Sequence, residues 1–279
     1  YCDGGLANRV NCLVNGLVIS NILQQPYKIY WPINRYCQSE LAELIETELV
    51  TQNIGKQFLR NKNNCLIVAD ENFISAPNDL WINPRRPKNS KDIESEIINT
   101  AKQVDSIVIF YPIPLYEKCK DFKLELKKLF RPRLEINSLT REVELQIKIP
   151  IKYWGLHMRG TDAKKNTKYY SFFKLLAKIL PGKIYLASDD FDLIRFFSDR
   201  PNVIKRFNIN LPAKVQANAD WIEKNIDENG DIFPYNIQRN SASIRDAMVD
   251  LLILSRSNLI LTSTSTFLEL AANISEKNN

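Results

Sequence analysis

Lys152-Tyr153-Trp154-Gly155-Leu156-His157-Met158-Arg159-Gly160-Thr161-Asp162 is the stretch on which the fold turns. Its apolar half, Tyr153–Met158, reads as a buried strand, and the remainder as what leaves the strand's end. His157 is the only histidine in the sequence. A histidine, an arginine and a carboxylate this close together can meet one anionic ligand, and ligands of open α/β sheets gather at strand ends. The plain alternative is an ordinary strand end with a buried histidine and a surface Arg159–Asp162 pair. By itself the stretch does not choose between them.

Working outward, extended and helical patterns alternate. Towards the N-terminus, helices are expected at Val10–Leu23 (amphipathic despite Asn11, Asn15 and Asn21), Gln38–Leu49, Lys91–Lys102, Glu117–Leu129 and Leu134–Gln146. Strands are expected at Tyr27–Trp31, Cys65–Val68 and Ser106–Phe110. Beyond the opening stretch come a helix at Tyr169–Ile179, a strand at Lys183–Ala187, a helix at Phe191–Phe197 and a strand at Asn202–Arg206. Residues 212–240, rich in Asn, Asp and Glu, give no clear pattern. A helix at Ala242–Ser255, a strand at Leu259–Leu261 and a helix from Thr266 close the sequence. Strands alternating with helices argue for parallel sheets covered on both faces. The pattern restarts after Phe130-Arg131-Pro132-Arg133. The expectation is therefore an α/β chain of two Rossmann-like units, 1–130 and 131–279, facing each other across a cleft.

The 279 residues suffice for a sizeable core, and 38 Lys+Arg against 32 Asp+Glu leave a modest excess of +6. That excess is scattered among acids, as in Lys118–Glu125, and reads as solvated surface. A basic surface for phosphates or a membrane is the lesser reading. No stripe of aromatic and basic residues supports nucleic-acid binding, which ranks last. Five cysteines without CxxC spacing and a single histidine argue against a His/Cys zinc site. Unpaired thiols suit a reducing compartment, so a cytoplasmic protein is expected, with a location peripheral to a membrane as the variant. No run has the length of a transmembrane segment. The sequence opens at Tyr1 rather than Met, which leaves an upstream signal or anchor open.

Three further constellations could carry chemistry. Gly4-Gly5-Leu6-Ala7-Asn8-Arg9 precedes a helix, and its glycines would let a ligand approach the backbone at a helix N-terminus. Asn8 would add an amide and Arg9 a fixed cation; the plain alternative is a glycine turn with Asn8 as cap. Ala187-Ser188-Asp189-Asp190 has paired acids after a strand. Capping of the helix they begin explains them better than a metal does. Finally, Leu259–Leu261 delivers Thr262-Ser263-Thr264-Ser265-Thr266 to a helix start. Five hydroxyls there could cradle a phosphate, where simple capping would need one. Asp250, polar within an apolar helix face, could accept from guanine N1 and N2 if partly buried; otherwise it is an exposed helical aspartate.

In order and spacing these segments resemble the α1,2/α1,6/protein-O-fucosyltransferase superfamily. The residues carrying the resemblance are Gly4–Arg9, His157–Asp162, Leu186–Asp190, Asp250–Ser255 and Ser265-Thr266-Phe267. The resemblance implies the GT-B arrangement of two Rossmann domains. It also implies GDP-fucose as donor, a glycan or glycopeptide acceptor, inversion at the anomeric carbon and no metal or other cofactor. Arg159 would meet the β-phosphate, His157 and Asp250 the guanine or phosphates, and Thr264, Ser265 and Thr266 phosphate. Arg9 would join the donor site as a cation, and Asn8 would face the donor sugar. Many members carry a second basic residue where Gly160 stands, and the α1,6 branch has a glutamate where Thr167 stands. The acceptor base therefore does not transfer, and Asp162 is the candidate, with a base from the N-terminal unit or a late proton transfer as rivals. Competing readings keep the fold with another nucleotide-sugar donor, or make the protein a non-catalytic GDP- or glycan-binding protein.

Overall fold

A computed structural model of the chain describes residues 2, 5–34, 36–52, 65–69, 80–82, 90–104, 106–110, 120–160, 167–212, 224–226, 232–234, 238–259 and 265–275. Helices α1 (Leu6–Leu23), α2 (Leu41–Leu44), α3 (Ser90–Ala101), α4 (Lys120–Leu129) and α5 (Leu134–Gln146) precede the quoted strand. They alternate with β1 (Ile29–Tyr30), β2 (Thr51–Gln52), β3 (Cys65–Ala69), β4 (Leu80–Ile82) and β5 (Ser106–Phe110). The quoted stretch is β6 (Trp154–Met158). After it come α6 (Thr167–Ile179), β7 (Ile184–Ser188), α7 (Phe191–Phe196) and β8 (Val203–Lys205). The short strands β9 (Lys224–Ile226) and β10 (Ile232–Pro234) lead to α8 (Ser241–Ser255), β11 (Asn258–Leu259) and α9 (Thr266–Ile274).

Two parallel sheets organise these elements, one in the order β4-β3-β5 and one in the order β11-β6-β7-β8. β7 shows why its sheet must be covered twice, since all five of its residues are buried. Side chains on a strand alternate between faces. Ile184 and Leu186 accordingly join Leu156, Met158, Phe173, Ala177 and Leu193 on one side. Tyr185 and Ala187 join the main core, with α8 and α9, on the other. The main core runs from Cys2 to Ala271 and contains residues of both sheets. Among the described residues no helix is long and apolar enough to cross a membrane.

Several elements depart from expectation for physical reasons. α1 starts at Leu6, four residues early, with Gly5 as its extended N-cap (φ −71°, ψ 170°), so Asn8 lies in the first turn rather than at the cap. It is not amphipathic: Asn11 and Asn15 are fully buried, and the helix is enclosed nearly all round. The long helix expected over Gln38–Leu49 shrinks to α2. Glu40 and Glu43 form a capping box that starts it. Pairing with the 131–133 segment then stops it: Ile45 bridges Pro132, and the Arg133 amide donates to Leu44 O at 3.2 Å. β4 and the antiparallel β9–β10 pair are too short to leave a periodic signal.

Candidate functional site

In the β11-β6-β7-β8 sheet the chain leaves β6 towards β7 on one side, while β11 lies on the other. The crevice at the carboxyl ends of β6 and β11 is thus the topological switch point, where open α/β sheets bind ligands. His157 stands near the end of β6, and the segment after β11 ends at Ser265, the N-cap of α9. The two meet across the crevice, with Ser265 Oγ 2.8 Å from His157 Nδ1. Ser265 Oγ also accepts the Leu268 amide at 3.2 Å, so one hydroxyl caps α9 and pairs with the imidazole. Phe267 lies against the imidazole at 4.8 Å between ring centroids.

One residue further, Thr266 Oγ1 donates to Asn8 Oδ1 at 2.8 Å. The first turns of α1 and α9 therefore face the same place, and with the carbonyl of Asn8 occupied, its amide N–H groups are what it can offer. Gly5 supplies no side-chain cap to α1, whose first turn carries no acid. Its free N–H groups and dipole make this end electropositive. The first turn of α9 carries Glu269, which tempers its own end. Arg239 adds a cation, its guanidinium carbon 4.0 Å from where a Cβ on Gly5 would stand.

Arg159 is exposed just beyond β6, and the backbone from which it projects is fixed on three sides. Tyr170 Oη donates to Arg159 O at 3.1 Å. The Gly160 amide donates to Asp189 Oδ1 at 2.7 Å. A Cβ on Gly160 would stand 2.6 Å from Asp190 Cβ and 2.7 Å from Leu193 Cδ1. Gly160 is thus a packing requirement, which accounts for the absence of a second basic residue there. Asp190 caps α7 by accepting the Asp192 amide at 2.7 Å, as the capping reading expected.

Asp250 is buried in a polar network on the face of the sheet that His157 shares. Its Oδ1 accepts from Tyr185 Oη at 2.6 Å and from Arg206 Nη1 at 2.8 Å. Arg206 also pairs with Asp246 Oδ1 and donates to Asp246 O at 3.2 Å. Asp246 Oδ2 takes both the backbone amide and Nδ2 of Asn210, each at 2.8 Å. Burial pushes the Asp250 carboxyl above the usual carboxylate range, opposed by the Arg206 guanidinium and the Tyr185 hydroxyl. Burial and the neighbouring Asp250 charge push the Tyr185 hydroxyl well up.

The structure therefore brings together Asn8, His157, Ser265 and Thr266, launches Arg159 from the same strand end, and places Asp250 on the same sheet face. Arg9 is a correction. Instead of a cation offered to a ligand it is fully buried, donating to Pro32 O at 2.6 Å and Asn34 Oδ1 at 2.7 Å, beside the Trp31 ring. Asp162 and Thr264 lie outside the described residues. Tyr185, Arg206, Asp246 and Arg239 were missed. Only Asp246 left a trace, standing four residues before Asp250 and so on the same helix face.

No family model and no curated protein sequence matches this chain. Solved structures do. Fucosyltransferase NodZ from Bradyrhizobium superposes with a TM-score of 0.55 at 12% identity, over 96% of this chain and 89% of that one. The NodZ alpha-1,6-fucosyltransferase soaked with GDP-fucose gives a TM-score of 0.52 at 13% identity, over 98% and 90%. A mutant of Arabidopsis thaliana FUT1 in complex with GDP gives 0.52 at 10% identity, over 98% of this chain and 67% of that one. At these identities the likeness is one of fold: the chain has the mixed α/β, parallel-sheet fold of these structures.

Proposed function

We propose that this protein is a fucosyltransferase that moves fucose from GDP-fucose to a glycan or protein hydroxyl, with inversion and without a metal. The observation that carries the reading is the meeting of two helix N-termini, α1 and α9, beside His157 at the switch point, where Arg159 leaves the sheet. Breaking a sugar–phosphate bond builds negative charge on the departing diphosphate. A guanidinium and helix-end amides fixed beforehand stabilise that charge best, because they need not reorganise. In this reading Arg159 holds the β-phosphate, and Ser265 and Thr266 with the α9 start flank it. His157 meets the guanine or the phosphates of the donor, and the Asn8 amide faces the sugar. Asp250 takes the guanine edge, and Asp162 stands as the acceptor base. The protein is two Rossmann-like units, 1–130 on the acceptor side and 131–279 on the donor side, facing a cleft.

The fold shared with fucosyltransferases and the positive, donor-rich crevice support this reading. It is tested by following GDP release and sugar transfer from GDP-fucose over an acceptor panel, with and without EDTA. Arg159→Ala is expected to fold as the parent does and lose about 100- to 1,000-fold in turnover. Activity is expected to persist in EDTA. GDP binding without turnover on any acceptor would favour a binding protein, and preference for a UDP-sugar would reassign the donor.

A further inference from the structure

A carboxylate offers about four acceptor positions over its two oxygens. Asp246 commits both oxygens to the protein, Oδ1 to Arg206 and Oδ2 twice to Asn210. Asp250 commits only Oδ1, to Tyr185 and Arg206. Among the described residues no donor reaches its Oδ2, although the residue is only 5% exposed. Two carboxylates also share a single guanidinium, leaving one negative charge in excess in a cluster whose ion-paired side chains are 6–9% exposed. A buried charge short of donors is expensive unless something supplies them.

We infer that Tyr185 and Arg206 are positioning residues: they hold the Asp250 carboxylate with Oδ1 engaged and Oδ2 left to read the purine of the donor nucleotide. This rests on the reading of the site given above. Asn210 and Asp246 fix the guanidinium, which with the Tyr185 hydroxyl fixes Oδ1 from two directions, so the carboxylate cannot rotate to use Oδ2 internally. The edge that satisfies Oδ2 carries adjacent donors. Guanine presents N1–H and the N2 amino group side by side, hypoxanthine only N1–H, and adenine a lone pair at N1. The geometry thereby sets the order guanine, then hypoxanthine, then adenine. The charged and titratable groups facing Asp250 among the described residues are Tyr185 from β7, Arg206 from beyond β8 and Asp246 from its own helix. Loss of the Tyr185 hydroxyl removes one of the groups that hold the carboxylate ionised.

The experiment is titration calorimetry of GDP, IDP and ADP against the full chain, its Tyr185→Phe variant and its Arg206→Lys variant, repeated on acidification. The parent is expected to prefer GDP over IDP and to lose GDP affinity on acidification at a pH above that at which ordinary carboxylates protonate. Tyr185→Phe should weaken GDP about fivefold, the worth of one hydrogen bond. It should also narrow the GDP-to-IDP ratio and move the loss of affinity to higher pH. Arg206→Lys, which keeps the charge but not the fork, should narrow that ratio further; if Tyr185→Phe fails to fold, this variant and the parent's own pH profile carry the test. A purely structural hydroxyl would change stability while leaving base preference and pH midpoint in place, and that result overturns the inference alone. Equal affinity of the parent for GDP and IDP does the same. No GDP binding by the parent at all overturns the donor reading as well.

Discussion

Ser265 Oγ holds two things at once, and its removal therefore has a calculable effect. The oxygen caps α9 through the Leu268 amide at 3.2 Å and pairs with His157 Nδ1 at 2.8 Å, in a residue 8% exposed. Loss of an N-cap oxygen costs about 1 kcal/mol. Leaving a mostly buried imidazole nitrogen without its partner costs about 1 kcal/mol more. Ser265→Ala should thus lose about 2 kcal/mol in all. Ser265→Asn, a good cap that cannot reproduce the hydroxyl's geometry at Nδ1, should lose about half of that. Ser265→Thr should lose little. Urea unfolding followed by circular dichroism reads the differences as a shift of midpoint at constant slope. The ranking is the test: Ser265→Ala as stable as the parent, or Ser265→Asn no better than Ser265→Ala, would refute the dual role.

A Cβ on Gly155 would stand 2.0 Å from Ser257 Oγ and 3.0 Å from Leu254 Cδ2, so Gly155→Ala should cost about 1–3 kcal/mol in thermal or chemical denaturation; adding Ser257→Gly should recover part of it. Arg9→Met strips Pro32 O and Asn34 Oδ1 of a charged donor and should destabilise by about 3 kcal/mol while the folded protein binds GDP as before; lost binding at unchanged stability would restore Arg9 to the ligand site. Asp190→Ala removes the α7 cap and should cost about 1 kcal/mol by the same denaturation measurement.

What could be read in the residues, and what could not, divides by range. β6 and β7 were legible because strands covered on both faces are apolar at nearly every position, and the polar residues at the end of β6 then stand out. The start of α9 was legible because a hydroxyl residue ahead of an apolar helix reads as its cap, the place Ser265 takes. Arg9 was misread because its partners, Pro32 and Asn34, come more than twenty residues later, and no local pattern says that a guanidinium will be enclosed. The same holds for Arg206, which meets Asp246 and Asp250 some forty residues on. Residues 38–49 were read as one helix because their spacing allows it, and only pairing with residues 131–133 overrules it.

The bond from Thr266 to Asn8 joins residues 258 positions apart, and α1 itself is enclosed nearly all round. During translation at roughly 5–20 residues per second, α1 waits about 10–50 s for the segment that completes its surroundings. The crevice therefore cannot exist on a nascent chain, and the side of α1 that faces α9 remains uncovered for that interval. Refolding yield should depend on protein concentration and on chaperones far more than the stability of the finished molecule would suggest.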